Sequence, residues 1–392
     1  MGELDKRIDS ILPDVVEWRH DLHAHPELAF EEKRTAAFIA ERLTSFGLEV
    51  HTGLAGTGVV GVLSCGNGPS IGMRADIDAL PIEEATGLSY ASRHSGRMHA
   101  CGHDGHTAML LGAARVLAEA RPKEGTFVFI FQPAEENEGG ARVMVEQGLF
   151  SRFPVDAVYG AHNWPGLPCG HLAVHAGPVM AAFDTFEATI EGKGSHGAMP
   201  HQGVDPITIA AQLQIAWQTI ISRSVSPTDA AVISVTQIHA GDTWNVIPDK
   251  LVLCGTVRSF DPQVRDLLEA KMAQRADKIC AAFDASCRFV YQRRYPATIN
   301  SVVEAATARR AAAFAVGGDR VVTDRPPSMG AEDFAFMLEQ KPGAYVWIGN
   351  GPDAGGRNLH SPHYDFNDAA LPYGMRFWVR LAELCQPRST YS

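Results

Sequence analysis

The spacing of apolar and polar positions divides the first part of the chain into alternating helices and short strands. Segments 5–24 and 31–46 carry apolar residues at helical spacing among charged ones, and "GVVGVLS" at 58–64 reads as an apolar strand. "SIGMRADID" follows, and "HTAMLLGAARVLAEA" then sets Leu110, Ala113 and Leu117 on one helical face, with Asp104 placed as the N-terminal cap. "TFVFIFQPAEENEGGA" is apolar from Phe127 to Phe131, as a fully buried strand would be, and turns polar at Gln132 and Pro133. This rhythm predicts an α/β domain whose largely parallel central sheet is flanked by helices.

The texture changes from about residue 181 to 292. "FDTFEATIEG" and "AAVISVTQIHAG" alternate as half-buried strands do, and "DPITIAAQLQIAWQTIIS" between them places Ile209, Leu213, Ala216 and Ile220 on one helical stripe. A smaller α+β domain is expected there. Because "AYVWIGNG" comes after it, that domain interrupts the first one. The predicted organisation is a catalytic domain from 1–180 and 293–392 with an insertion at 181–292. A chain of 392 residues exceeds what one core usually organises, so two domains agree with its length.

Reactive side chains gather at the ends of the apolar runs. "SIGMRADID" closes on Asp76 and Asp78, "TFVFIFQ" leads to Glu135 and Glu136, "DAVYGAHNW" delivers His162, and the segment after "AYVWIGNG" carries His360. In open α/β sheets the ligand crevice lies beyond the carboxyl ends of the strands, so these residues converge. "MHACGHDGH" at 98–106 adds Cys101 and His103, a thiolate and an imidazole suited to a divalent metal.

By residue type the candidate ligands are Cys101, His103, Glu136, His162 and His360. Five ligands exceed one open tetrahedral site and suit two ions about 3.5–4 Å apart, and of the adjacent Glu135 and Glu136 one can ligate while the other takes a proton from bound water. Each residue also has a plainer reading. Glu135 and Glu136 alone would be a solvated acidic turn, and His162 a core histidine. His23, His25, His99, His106 and His363 are read as structural or supporting. A cysteine hydrolase using Cys101, with His103 or His106 as base, leaves Glu136, His162 and His360 unused. A binding protein without catalysis leaves Glu135 unused.

The remaining totals narrow the partners. A formal charge of −11, from 34 basic and 45 acidic residues, argues against nucleic acid or an anionic membrane as the main partner. Seven cysteines without paired spacing, and no apolar run of membrane-spanning length, lead to the expectation of a cytoplasmic protein without structural disulfides.

"RHDLHAHPELAFEE", "MRADIDALP", "MHACGHDGHTAMLLGAA", "QPAEENEGGA", "GAHNWP", "GKGSHGAMPH", "GDTWNVIPD", "GTVRSFD", "MGAEDFAFM" and "LHSPHYDFND" occur in that order between residues 15 and 370. Together they resemble the aminoacylase and carboxypeptidase family of dinuclear metalloamidases. Within it they resemble the branch of hippurate hydrolase, N-acyl-amino-acid amidohydrolases and indole-acetyl-amino-acid hydrolases. The resemblance implies that Cys101, His103, Glu136, His162 and His360 hold two divalent ions, Mn or Zn with Co or Ni as alternatives, and that Glu135 is the general acid and base. Cys101 takes the bridging position that other branches give to an aspartate. Asp78 and Asp104 are read as supporting residues around the ligands, and the resemblance further implies that the insertion is a lid through which a homodimer forms. It suggests that His196, Asn245 and Arg258 contact a small N-acyl amino acid, with His196 entering the partner's active site. Gly330 in "MGAEDF" precedes a predicted helix whose free N–H groups would help hold the substrate carboxylate.

Overall fold

The computed structural model describes residues 2–136, 138–351 and 358–385. Helices α1 (Glu3–Ala24) and α2 (Lys33–Ser45) precede strands β1 (Glu49–Leu54), β2 (Gly58–Ser64) and β3 (Ser70–Asp76). Helix α3 (His103–Ala120), strand β4 (Thr126–Gln132), helix α4 (Gly140–Glu146) and strands β5 (Ala157–Trp164) and β6 (Leu172–Ala173) follow. The middle of the chain forms β7 (Ala182–Glu191), β8 (Ser195–His196), α5 (Pro206–Arg223), β9 (Ala231–His239), β10 (Val246–Ile247), β11 (Lys250–Ser259), α6 (Pro262–Ala282) and β12 (Ser286–Tyr295). Helix α7 (Val302–Val316), strands β13 (Val321–Val322) and β14 (Gly343–Gly349) and helix α8 (Leu371–Leu384) come last.

These elements form two compact units. The first comprises residues up to Val179, Ile299–Pro326 and the chain from Asp333 onward; the second comprises Met180–Thr298 and Pro327–Glu332. The second unit reaches past 292 because β12 pairs along β7 as far as Tyr295.

The first unit is built on an eight-stranded sheet of order β1-β2-β4-β3-β5-β14-β6-β13. Its centre, β4-β3-β5-β14, is parallel, while β1, β2 and β6 pair antiparallel towards the edges. Central parallel strands are covered on both faces, which is why β4 is apolar from Phe127 to Phe131. Phe127, Phe129 and Phe131 are at most 1 % exposed, and full burial of such a ring stabilises by ~1.5–3 kcal/mol. Helix α1 turns Ile8, Ile11, Val15, Trp18 and Leu22 inward at helical spacing, and α3 is buried on nearly every side. The first turn of α3 therefore lies in the interior, where any polar group needs a partner.

The second unit has an antiparallel sheet of order β9-β11-β7-β12 packed against α5 and α6. Its core alternates along the strands, with Phe186, Ala188 and Ile190 on β7 and Leu251, Leu253 and Val257 on β11. On α5 the buried stripe is Ile209, Leu213, Trp217 and Ile220, with Ala216 only half-buried. Trp217 rather than Ala216 completes the stripe because the larger ring fills the space over the sheet. Its Nε1 donates to the Met272 carbonyl at 3.1 Å.

Candidate metal centre

Four neighbouring strands run parallel, so their carboxyl ends deliver side chains to one edge of the sheet. Asp76 ends β3, Gln132 ends β4 two residues before Ala134, His162 lies near the end of β5, and β14 leads into the chain that carries His360. Residues 352–357 of that connection lie outside the described residues. His360 N–H donates to the Ala100 carbonyl at 2.8 Å, which fixes it beside Cys101. Between Cys101 and α3, Gly102 adopts φ 91°, and a Cβ there would lie 2.4 Å from both Asn163 Nδ2 and Tyr364 Oη. Only glycine fits that backbone and that space.

The donor atoms are close. Cys101 Sγ lies 3.3 Å from His162 Nε2, and His360 Nε2 lies 3.1 Å from Glu136 Oε1. Cys101, Glu136 and His360 each present a ligand atom within 4.8 Å of the others, as do His103, Glu135 and Glu136, and as do Asp76, His103, His106 and His162. Sharing of His103 and Glu136 between these groups makes one continuous centre.

Hydrogen bonding sets which nitrogen of each histidine faces it. His162 Nδ1 donates to the Asn163 carbonyl at 2.6 Å, and His103 Nδ1 donates to the Asp78 carbonyl at 2.9 Å and lies 3.2 Å from Asp78 Oδ1. A histidine that gives its Nδ1 proton away keeps a lone pair on Nε2, the arrangement of a metal ligand. His103 Nε2 is buried and has no hydrogen-bond partner, and Glu136 Oε1 has none of good geometry. Orphaned buried atoms of this kind need an explanation, and a cation supplies one.

The charges agree. Burial holds the Cys101 thiol far above its ordinary pKa, and Glu136, Glu135 and Asp76 push it the same way. Burial pulls His103 down, but Asp76 and Asp78 outweigh it and raise it to about 10. Burial and the neighbouring His106 keep His162 neutral. Carboxylates that push up both a thiol and a histidine call for positive charge, and one thiolate, imidazoles and carboxylates are donors to divalent metal ions. The residues present fit two such ions.

Supporting residues form a layer behind the donors. Asp78 Oδ2 accepts the Glu136 N–H at 2.9 Å, so one carboxylate holds both His103 and Glu136. Asp76 accepts from His106 Nδ1 at 2.6 Å, and His106 Nε2 in turn accepts the Asn163 N–H at 2.9 Å. Tyr364 donates to Asn163 Oδ1 at 2.8 Å. His106 belongs with these groups and does not cap α3. Nor does Asp104: the N-cap residue is Gly102, which makes no side-chain cap, and Asp104 sits buried in the first turn. Its Oδ2 accepts from Arg19 Nε and His23 Nδ1, each at 2.8 Å, because a fully buried carboxylate is better satisfied by a guanidinium and an imidazole than by an amide. Asn163, Tyr364 and Arg74, which bridges Asp76 and Asp333, were not singled out from the sequence. A single arginine within "IGMRAD", an apolar run, was the available signal.

The second unit holds the other predicted site residues. His196 is exposed on β8, opposite Val246 on β10, and accepts the Ala198 N–H on Nδ1 at 3.0 Å. In the neutral ring the proton then sits on Nε2. Asn245 is adjacent, its carbonyl accepting the Gly197 N–H at 2.7 Å. Arg258 on β11 stacks over the Phe183 ring at 4.2 Å and forms no ion pair among the described residues. Gly330 does not open a helix: its N–H donates to Ser328 Oγ at 3.0 Å, and the nearest helical turn is Ala335–Leu338, four residues long. Glycine and an acid after a methionine resemble a helix start locally, but the serine side chain has already taken the amide proton.

A family model described as Peptidase family M20/M25/M40 matches residues 72–384. The hippurate hydrolase of Campylobacter jejuni is 40% identical over 365 residues, covering 93% of this chain and 94% of that protein. The N-acyl-L-amino acid amidohydrolase of Geobacillus stearothermophilus is 44% identical over 301 residues, or 76% of this chain and 81% of that one. Among solved structures, the YXEP protein of Bacillus subtilis, described as a dinuclear metal binding peptidase from the M20 family, superposes with a TM-score of 0.83 at 37% identity. The match covers 95% of this chain and 98% of that one.

Proposed function

Because the chain belongs to peptidase family M20/M25/M40, we propose that it hydrolyses the amide bond of N-acyl amino acids, giving a carboxylic acid and a free amino acid. The observation that carries this reading is the cluster of buried Cys101, His103, Glu135 and His162 with the part-buried Glu136 and the half-exposed His360, gathered beside the carboxyl ends of four parallel strands. Cys101, His103, Glu136, His162 and His360 hold two divalent ions, Mn or Zn, with Co or Ni as alternatives. When bound, these ions would polarise the substrate carbonyl and lower the pKa of the attacking water.

This chain's own residues do the rest. Glu135 takes the proton of the attacking water and passes it to the leaving nitrogen. Asp78 keeps His103 and Glu136 in place during that transfer. His196, through its Nε2–H, donates to the oxygen on which negative charge develops, and Arg258, which forms no ion pair among the described residues, is suited to the free carboxylate of the amino acid. The working form is a homodimer formed through the second unit, in which His196 serves the partner's site, and its place is the cytoplasm. Support for a reducing compartment comes from seven free cysteines. No described helix is long and apolar enough to cross a membrane.

A panel of benzoyl, acetyl, succinyl and indole-acetyl amino acids and short peptides, assayed with added Mn, Zn, Co or Ni, tests the reading. Turnover of at least one N-acyl amino acid with release of the free amine is expected; turnover of peptides alone would replace this function with a peptidase.

A further inference from the structure

Glu32 lies about a hundred residues before the Glu135 loop in sequence and is fully buried against it. Its Oε1 accepts the Ala134 N–H at 2.9 Å, and its Oε2 accepts from Thr57 Oγ1 at 2.5 Å. Ala134, the residue just before Glu135, has φ 54°, a left-handed backbone that residues with a Cβ seldom adopt. Such a conformation persists only where its surroundings dictate it. Ala134 is pinned on both sides: the amide by Glu32, and the carbonyl by the Gly140 N–H at 2.9 Å. Gly140 closes so tightly on this turn that a Cβ there would meet the Pro133 carbonyl at 1.8 Å. Glu136 has a separate anchor, its N–H to Asp78.

From this geometry we infer that Glu32 is a positioning residue for Glu135: by holding the Ala134 amide it keeps the turn left-handed and so aims the general base. The inference rests on the proposed role of Glu135. Glu32 belongs to none of the donor groups of the centre; on the same peptide plane the Pro133 carbonyl accepts from Gln132 Nε2 at 3.2 Å, so Glu32 holds the amide half and Gln132 the carbonyl half. What Glu32 supplies is reach. A glutamine is isosteric, accepting from Ala134 on Oε1 and donating from Nε2 to Thr57, whereas an aspartate keeps the charge but is one methylene too short to span both partners.

Glu32→Gln, Glu32→Asp, Ala134→Gly and the double variant Glu32→Asp/Ala134→Gly test this. Glu32→Gln should keep kcat within about threefold. Glu32→Asp should lower kcat by at least about tenfold, towards the hundredfold that misplacement by 1 Å costs, with KM and metal content unchanged. Because glycine accepts positive φ freely, Ala134→Gly should restore part of the kcat lost in Glu32→Asp. A readout independent of turnover is amide hydrogen exchange in metal-free protein: the peptide containing Ala134 should lose protection in Glu32→Asp and keep it in Glu32→Gln. Equal protection and equal kcat in Glu32→Asp and wild type would overturn the inference, as would a loss in Glu32→Gln as deep as in Glu32→Asp. Glu135→Gln, run alongside, separates the two ideas: if it stays active the role of Glu135 fails, whereas exchange at Ala134 still reports on the contact with Glu32.

Discussion

Two adjacent glutamates in one loop are asked to do different work. Glu136 is held by Asp78 and faces His360 and Cys101, the position of a ligand, while Glu135 groups with His103 and Glu136 and is 7 % exposed. Glu135→Gln should therefore leave both metals bound and lower kcat by roughly a hundred- to ten-thousand-fold, the range of general-base catalysis. Glu136→Gln should lower metal occupancy. Metal analysis of the two purified variants beside their rates checks this, and matching occupancy in both would show that the roles are not divided. The same scale explains why the cysteine-nucleophile reading weakens: a nucleophilic thiol needs a lowered pKa, and burial and the acids around Cys101 raise it.

At the scale of elements, α1 and α3 are joined by buried charge. Arg19 meets Asp104, Asp365 and Asp368, and His23 bridges Asp104 and Glu84. Removing one member of such a network strands the others, so Asp104→Asn should destabilise by about 3–5 kcal/mol in denaturant unfolding. Burial lowers the His23 pKa, but its bonds to Asp104 and Glu84 raise it to about 9 from an ordinary 6.5. In the folded state His23 thus keeps its proton where the unfolded chain has lost it. Its stabilisation is complete below pH 6.5 and is lost as pH rises through 9, and the fall between those values should flatten in Asp104→Asn. An unfolding series across that window that is identical in both proteins would contradict this.

Much at this scale was legible in the sequence. The strands of the central sheet and the long helices follow from apolar runs and helical stripes, and the convergence of Asp78, Glu135, Glu136 and His162 follows from where the runs stop. Asp104 was misread because capping is a local rule, whereas its partner Arg19 arrives from 85 residues away. Glu32 and Asn163 stayed hidden for the same reason, since each is meaningful only through a contact distant in sequence. The helix expected to start at Gly330 begins only at Ala335, and the Gly330 N–H goes to the Ser328 side chain instead.

For the whole molecule, the proposed dimer makes quaternary structure part of the chemistry. His196→Ala should lower kcat by about a hundred- to thousand-fold, the worth of an oxyanion donor, with metals still bound. If His196 serves the partner's site, mixing inactive His196→Ala with inactive Glu135→Gln should restore activity through hybrid dimers. Half the dimers are then mixed, each with one complete site, so recovery should approach about a quarter of wild type. No recovery after demonstrated subunit exchange would place His196 outside the partner's reaction. The claim beneath all of this is that a two-ion centre on Cys101, His103, Glu136, His162 and His360 performs the hydrolysis. Its most direct test is to strip the protein with a chelator, verify removal by metal analysis, and titrate Mn or Zn back while following cleavage of an N-acyl amino acid. The account predicts no activity in the stripped protein and recovery that saturates near two ions per chain; full activity without metal, or saturation at one ion, would contradict it.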